Sequence, residues 1–123
     1  MKEIIAVVRP KKVGATRSVL VELGFPSMTV AAVIGRGRQR GIASEVSVEQ
    51  KPLSKGELRK TGLKYVPKRM LSVVVPNGDV KSVVQAIVRV NATGNYGDGK
   101  IWVCPIDDAL RVRTGEAGEA AVL

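Results

Sequence analysis

Apolar positions along this chain come in short dense runs, each closed by proline, glycine or charge. Residues 3–8, EIIAVV, are β-branched and nearly continuous, and Arg9-Pro10 ends them. Length and punctuation predict a strand, and its near-continuous apolarity predicts burial on both faces or an interior position in a sheet. Residues 11–23 place Val13, Leu20 and Leu23 at helical spacing, with Val19 beside them. Gly24 then stands where a helix C-cap favours a left-handed residue, while Gly14 weakens the helix. Residues 28–34, MTVAAVI, predict a second strand, broken at Gly35-Arg36-Gly37. Over 36–69 periodicity fades, and a long exposed loop is expected, with a brief helix over 54–61 behind Ser54. Residues 70–75, MLSVVV, predict a third strand, and Pro76-Asn77-Gly78-Asp79 supplies turn chemistry. Val80, Val83, Val84, Ile87 and Val88 follow at i, i+3, i+4, i+7 and i+8, a one-faced helix ending near Asn91. A glycine-rich stretch, TGNYGDGK, fills 93–100, and IWVC at 101–104 predicts a fourth strand stopped by Pro105. Residues 109–114 suggest a short extended piece, and the end beyond Thr114 is expected to fray.

The predicted order is β-α-β, long loop, β-α-β. The wording "strand, Pro, polar turn, Val, helix" occurs at EIIAVVRPKKV and again at LSVVVPNGDV. Two such halves sharing one antiparallel sheet make a ferredoxin-like βαββαβ plait of the α+β class. That fold leaves one sheet face open, so self-association is expected to cover it. One domain spans residues 1–123, with the loop at about 36–68 and a flexible tail at 115–123.

Composition adds charge to this picture. Of 123 residues, 20 are Lys or Arg and 11 Asp or Glu, giving +9, which favours anionic partners. Residues 36–69 hold ten Lys and Arg against Glu45, Glu49 and Glu57, so most of the excess lies in the loop. The chain has no histidine and one cysteine, Cys104. That excludes histidine triads, zinc ribbons and an internal disulfide. Cys104 is expected to be a small buried hydrophobe. No apolar run reaches the roughly 18 residues of a membrane span, and the N-terminus lacks a signal-peptide cleavage site. A cytoplasmic protein is expected. Four aromatic residues, Phe25, Tyr65, Tyr96 and Trp102, are few for a single-strand nucleic-acid binder.

Three elements carry candidate chemistry. Gly35-Arg36-Gly37-Arg38-Gln39-Arg40-Gly41 and Thr93-Gly94-Asn95-Tyr96-Gly97-Asp98-Gly99-Lys100 are glycine-rich and basic. Arg111-Val112-Arg113 would put two guanidiniums on one face of an extended chain. Glycines let backbone N–H groups approach phosphate oxygens, and Arg engages two oxygens at once. Each element alone reads as a turn with solvated charge. Together they point to a triphosphate. Neither loop has the Walker A or dinucleotide wording. Asp107 and Asp108 are adjacent, so they point apart and suit surface or capping roles.

The segment Thr93-Gly94-Asn95-Tyr96-Gly97-Asp98-Gly99-Lys100-Ile101-Trp102-Val103, with Arg111-Val112-Arg113-Thr114-Gly115-Glu116, resembles the C-terminal signature of the P-II nitrogen-regulatory proteins. Met28-Thr29-Val30 and Gly35 to Gly41 match the region before that family's large loop, and Pro67-Lys68 matches its end. The resemblance covers essentially the whole chain. It implies a trimer with ATP or ADP in clefts between subunits. Thr29, Gly35, Gly37, Arg38 and Gln39 would contribute from one side. Gly97, Asp98, Gly99 and Lys100 would cradle phosphates, and Arg111 and Arg113 would reach across from the neighbour. The resemblance also implies 2-oxoglutarate beside Mg-ATP, with Gln39 at the magnesium, Lys68 on a carboxylate and Arg9 close by. The long loop would be the family's T-loop, which reports ligand state to a target.

The loop departs from the common wording. No tyrosine lies between Gly41 and Lys64, so no covalent modification is expected. Gly24-Phe25-Pro26-Ser27, the Gly35–Gly41 wording and Val103-Cys104-Pro105 look more like the NifI branch. That likeness implies the dinitrogenase component of nitrogenase as the target of a homotrimer, or of an oligomer mixed with a sister subunit. A regulator of an ammonium transporter or of a nitrogen-assimilation enzyme is the alternative. The basic loop admits nucleic acid as a further partner class, against which stands the lack of a recognition helix or aromatic pair. Without histidine or a convincing base, an enzyme is not expected.

Overall fold

The computed structural model describes residues 1–37 and 65–123. Its elements are β1 (Lys2–Val8), α1 (Val13–Glu22), β2 (Thr29–Arg36), β3 (Tyr65–Val75), α2 (Val80–Asn91) and β4 (Lys100–Pro105). Short 3-10 turns over Pro10–Lys12 and Asn77–Asp79 lead into the two helices, so the repeated proline wording is a repeated structure. The sheet order is β2-β3-β1-β4, all neighbours antiparallel. This is the ferredoxin-like α+β plait: β3 splits the first βαβ half and β1 splits the second. No helix among the described residues is long and apolar enough to cross a membrane.

The expected loop at 36–69 is cut back at both ends. Arg36 closes β2 and pairs with Tyr65, and β3 runs through Pro67, Lys68 and Arg69 before reaching the predicted 70–75. Lys and Pro disguise this half as loop. Proline is tolerated because β1 pairs with β3 only at residues 69–75, leaving one edge of 65–68 unbonded to β1. The expected helix at 54–61 lies outside the described residues.

One sheet face carries the core. Ile4, Ala6 and Val8 of β1 pair with Val73, Leu71 and Arg69 of β3, and successive residues alternate faces. Against the buried members pack Leu20, Phe25, Val83 and Ile87. Helix α1 ends as its sequence predicts. Gly24 adopts φ +93°, its N–H bonds Val21 O at 3.0 Å, and Phe25 N–H bonds Leu20 O at 2.8 Å. That Schellman turn brings Phe25 back onto Leu20. Leu23, expected inside, is therefore exposed, and Thr16 takes the inward stripe with Leu20. Val88 is likewise exposed, at the edge of the α2 stripe. Cys104 is half-buried, because β4 is an edge strand and its outer face is uncovered.

The helices share one buried polar contact. Asn91 Nδ2 donates to Thr16 Oγ1 and to Ile87 O, both at 2.9 Å, and Thr16 Oγ1 donates to Lys12 O at 2.8 Å. Asn91→Ala removes two hydrogen bonds, and unfolding in urea should show a loss of about 1–2 kcal/mol. An unchanged midpoint would mean this contact adds nothing to helix pairing.

The end of the chain differs from the expected extended piece and frayed tail. Leu110 bridges Ala117, Gly115 N–H bonds Arg111 O at 2.7 Å, and a 3-10 turn covers Gly118–Ala121. Asp108 Oδ1 accepts Ala109 N–H at 2.8 Å and Gly118 N–H at 3.1 Å, the capping role that adjacent acids suggested.

Candidate functional site

The polar centre of the molecule lies where β1 ends, β2 ends and β3 begins. Arg9 follows β1 directly, and its side chain turns onto the 93–99 loop. Its Nη1 meets Asp98 Oδ1 at 2.6 Å and its Nη2 donates to Tyr96 O at 3.0 Å. Lys68, in the unexpected half of β3, donates from Nζ to Gly97 O at 2.8 Å. Both of these basic side chains belong to residues only 7% exposed. Burying a charge is tolerated only with close polar partners, and the loop supplies them.

Asp98 organises the loop. Its Oδ2 accepts Thr93 N–H at 2.7 Å and Gly94 N–H at 2.9 Å, and its Oδ1 accepts the Thr93 hydroxyl as well as Arg9. The Thr93 hydroxyl, then Arg9, then the two amides hold its carboxyl well below the usual carboxylate range. The sequence put Asp98 among the phosphate contacts. A carboxylate repels phosphate, and here its oxygens serve the loop's own donors.

Two glycines give this loop its shape. Gly97 has φ +96°, a conformation that side chains disfavour, and directs its carbonyl at Lys68. Gly99 lies on the β1 backbone, where a Cβ would come 2.0 Å from Val7 O. Gly35 of β2 leaves room for the Lys68 stem, since a Cβ there would stand 3.6 Å from Lys68 Cγ. Lys100 opens β4 opposite Val7, with its ammonium 5.9 Å above the Trp102 ring.

One chain thus brings together Arg9, Lys68, Gly35, Gly97, Asp98, Gly99 and Lys100. Gly37 follows β2 at the same end. Thr29 begins β2, six residues from Gly35 and so about 20 Å along the strand. Arg38 and Gln39, and with them the implied magnesium contact, lie outside the described residues, as does the expected target-binding stretch 42–64. Arg111 and Arg113 lie on the C-terminal segment that the Leu110–Ala117 bridge closes. Residues 112–114 form a turn there, so the two guanidiniums do not share one face of an extended strand. Arg111 is committed locally: Nη1 pairs with Glu116 Oε1 at 3.0 Å, and Nη2 donates to Ala120 O at 3.0 Å and Leu123 O at 2.7 Å. Sequence reading missed Tyr96 and Leu123, because they act through backbone carbonyls. Thr93 was legible only as a motif letter.

The donor set suits an anion. Glycine amides, Lys100 and two buried cations offer positive charge. The neighbouring cavity between α2 and β4, bordered by Val84, Val88 and Ile101, measures about 240 Å³. That is smaller than most ligand sites of roughly 300–1,000 Å³, so this cavity by itself does not enclose a nucleotide.

Comparison with known proteins agrees. Residues 1–116 match the family described as nitrogen regulatory protein P-II. "Nitrogen fixation nifHD region GlnB-like protein 2" of Methanobacterium ivanovii is 54% identical across the whole of both chains. The protein of the same name from Methanothermobacter marburgensis is 51% identical over 99% of this chain and all of its own. "Nitrogen regulatory protein P-II 2" of Methanothermobacter thermautotrophicus is 40% identical over 99% of this chain and 97% of its own. With the plait, the glycine loop and full-length identity above one half, the chain belongs to the nitrogen regulatory protein P-II family, among its nitrogen-fixation-region members.

Proposed function

We propose that this protein senses adenine nucleotide and 2-oxoglutarate together and passes their state to the nitrogen-fixation machinery, with the dinitrogenase component as target. The observation that carries this reading is the convergence of two buried cations, Arg9 and Lys68, on the glycine loop that opens β4. A dicarboxylate needs two positive groups held near each other. A nucleotide needs glycine amides and a cation such as Lys100 beside them. Both sets occur at one end of one sheet.

Second and third copies complete the site in this reading. Ile5, Val7, Val74 and Val33 share the sheet face opposite the helices, which favours a trimer through that face. A neighbour would then bring its Thr29 or its Arg113 toward the loop. Gln39 would add a neutral oxygen to magnesium held by the phosphates. The segment between β2 and β3 starts and ends at this site, since Arg36 pairs with Tyr65 and Lys68 follows three residues later. Any ligand that distinguishes two positions of Lys68 therefore biases that segment, and the bias equals its difference in affinity for the two states.

Calorimetric titration tests the reading. Mg-ATP should bind, and 2-oxoglutarate should bind with measurable heat only when Mg-ATP is present. Absence of both heats would sink the sensor assignment. The nifHD-region names of the relatives support nitrogenase as the system served, and pull-down of purified dinitrogenase with and without 2-oxoglutarate examines that step separately.

A further inference from the structure

The C-terminal segment holds a guanidinium that the charge pattern assigns to phosphate. Arg111 Nη1 pairs with Glu116 Oε1 at 3.0 Å, and its Nη2 donates to Ala120 O at 3.0 Å and to Leu123 O at 2.7 Å. A guanidinium meets phosphate bidentately through one of two edges, Nη1 with Nη2 or Nε with Nη2. Both edges need a hydrogen of Nη2, which has two, and the chain's own carbonyls take both. We propose that residues 116–123 gate the nucleotide site by occupying Arg111 until a nucleotide phosphate displaces them. This rests on the reading that Arg111 and Arg113 contribute to that site.

The gate can open without disturbing the structure that carries it. Backbone bonds close the turn beneath it: Leu110 bridges Ala117, Arg111 N–H bonds Glu116 O at 2.8 Å, and Gly115 N–H bonds Arg111 O at 2.7 Å. Gly118 N–H is held by Ala109 O at 2.9 Å and by Asp108 Oδ1 at 3.1 Å. None of these bonds uses the guanidinium. Gly118, at φ +69°, gives a pivot for the residues beyond it at little steric cost. No residue from 116 to 123 is buried, so the Glu116 carboxylate and the carbonyls of Ala120 and Leu123 reach water when they leave. An exposed ion pair is weak. A phosphate brings more negative charge to Arg111 than the one carboxylate it replaces, so the exchange favours the ligand. While Glu116 stays in place it also repels an approaching phosphate. The exposed Arg113 has no such contact to break among the described residues, so the gate acts on Arg111.

The sign of the effect is the test, read by calorimetric titration of the full chain with Mg-ATP. Glu116→Gln keeps the shape of the side chain and removes its charge, and Mg-ATP affinity should rise by about twofold to fivefold. Damage to the site would lower it. Glu119→Gln is the control. It removes the same charge from the same segment, but no described contact joins that side chain to Arg111, so affinity should stay close to that of the wild type. Arg111→Gln should weaken binding by about tenfold or more, through loss of a charged phosphate ligand. In that background Glu116→Gln should add nothing, because the gate has nothing left to hold. Equal or weaker binding in a folded Glu116→Gln protein overturns the gate. So does an equal gain from Glu119→Gln, a gain that persists without Arg111, or wild-type affinity in Arg111→Gln. Each of these leaves the sensor reading intact. No Mg-ATP binding by the wild type removes both.

Discussion

Replacing Gly99 with alanine should cost about 3 kcal/mol or more and lower the melting temperature by about 10 °C or more. Two penalties coincide at this residue. Its φ of +117° lies where side chains are rarely found. The added Cβ would also stand 2.0 Å from Val7 O, 3.1 Å from Val7 C and 3.4 Å from Val8 Cα. Those are backbone atoms of a central strand, bonded on one side to β3 and on the other to β4. They cannot rotate away as a flexible side chain does. Relief requires the loop to lift, which pulls Lys100 from its place opposite Val7 and breaks the start of β4. Gly94→Ala is the control. It has φ +85° but nothing within 4 Å of the added Cβ, so only conformational strain applies, about 1 kcal/mol. Thermal denaturation of the two variants separates steric contact from backbone conformation. Equal losses would mean that the approach of Gly99 to β1 has no energetic weight.

That approach shows what the sequence made legible. Glycine enrichment at 93–100 announced a backbone needing unusual dihedrals, and the prolines at 10 and 76 announced two equivalent helix starts. Val83, Ile87 and Leu20 sat at helical spacing and are buried. The α2 stripe and the Gly24 cap are local properties, so a local pattern carried them. The missing parts are long-range. Residues 65–69 form strand because β2 lies beside them, which no window of polar residues reveals. Asp98 looked like one more polar loop residue near phosphates, and only its distance to Arg9, 89 positions away, shows what it holds. Arg111 read as a ligand for a phosphate, but Glu116, Ala120 and Leu123 surround it because Gly115 and Gly118 turn the chain back. A guanidinium meeting phosphate must first leave those oxygens. The exposed Arg113, which has no such commitment among the described contacts, is the better placed of the two for a nucleotide.

Lys68→Met should weaken 2-oxoglutarate binding at saturating Mg-ATP by about tenfold or more, the equivalent of one charge-assisted hydrogen bond of about 1.5–3 kcal/mol. Methionine is the informative replacement. The Lys68 side chain does two separable jobs. Its methylene stem lies across Gly35, and its ammonium reaches Gly97 O at 2.8 Å. Methionine keeps an unbranched apolar stem of similar volume and removes the charge, so packing between β2 and β3 persists. Lys68→Ala loses both, and a weaker effector response there would confuse lost charge with a loosened strand pair. The two variants should bind 2-oxoglutarate equally poorly if charge is the cause, while urea unfolding distinguishes them, with alanine the less stable. Nucleotide affinity measured without effector should move far less in Lys68→Met, since Lys100 and the loop amides remain. Retention of 2-oxoglutarate affinity in Lys68→Met would remove Lys68 from the effector site and leave it a structural tie between β3 and the glycine loop. The location of this residue makes the distinction matter. It stands in β3 three positions after the strand begins, at the point where the segment joining β2 to β3 returns to the sheet. Under the proposed sensing role, a cation fixed there and meeting a ligand carboxylate would give a short physical route from a bound metabolite to the segment that joins β2 to β3.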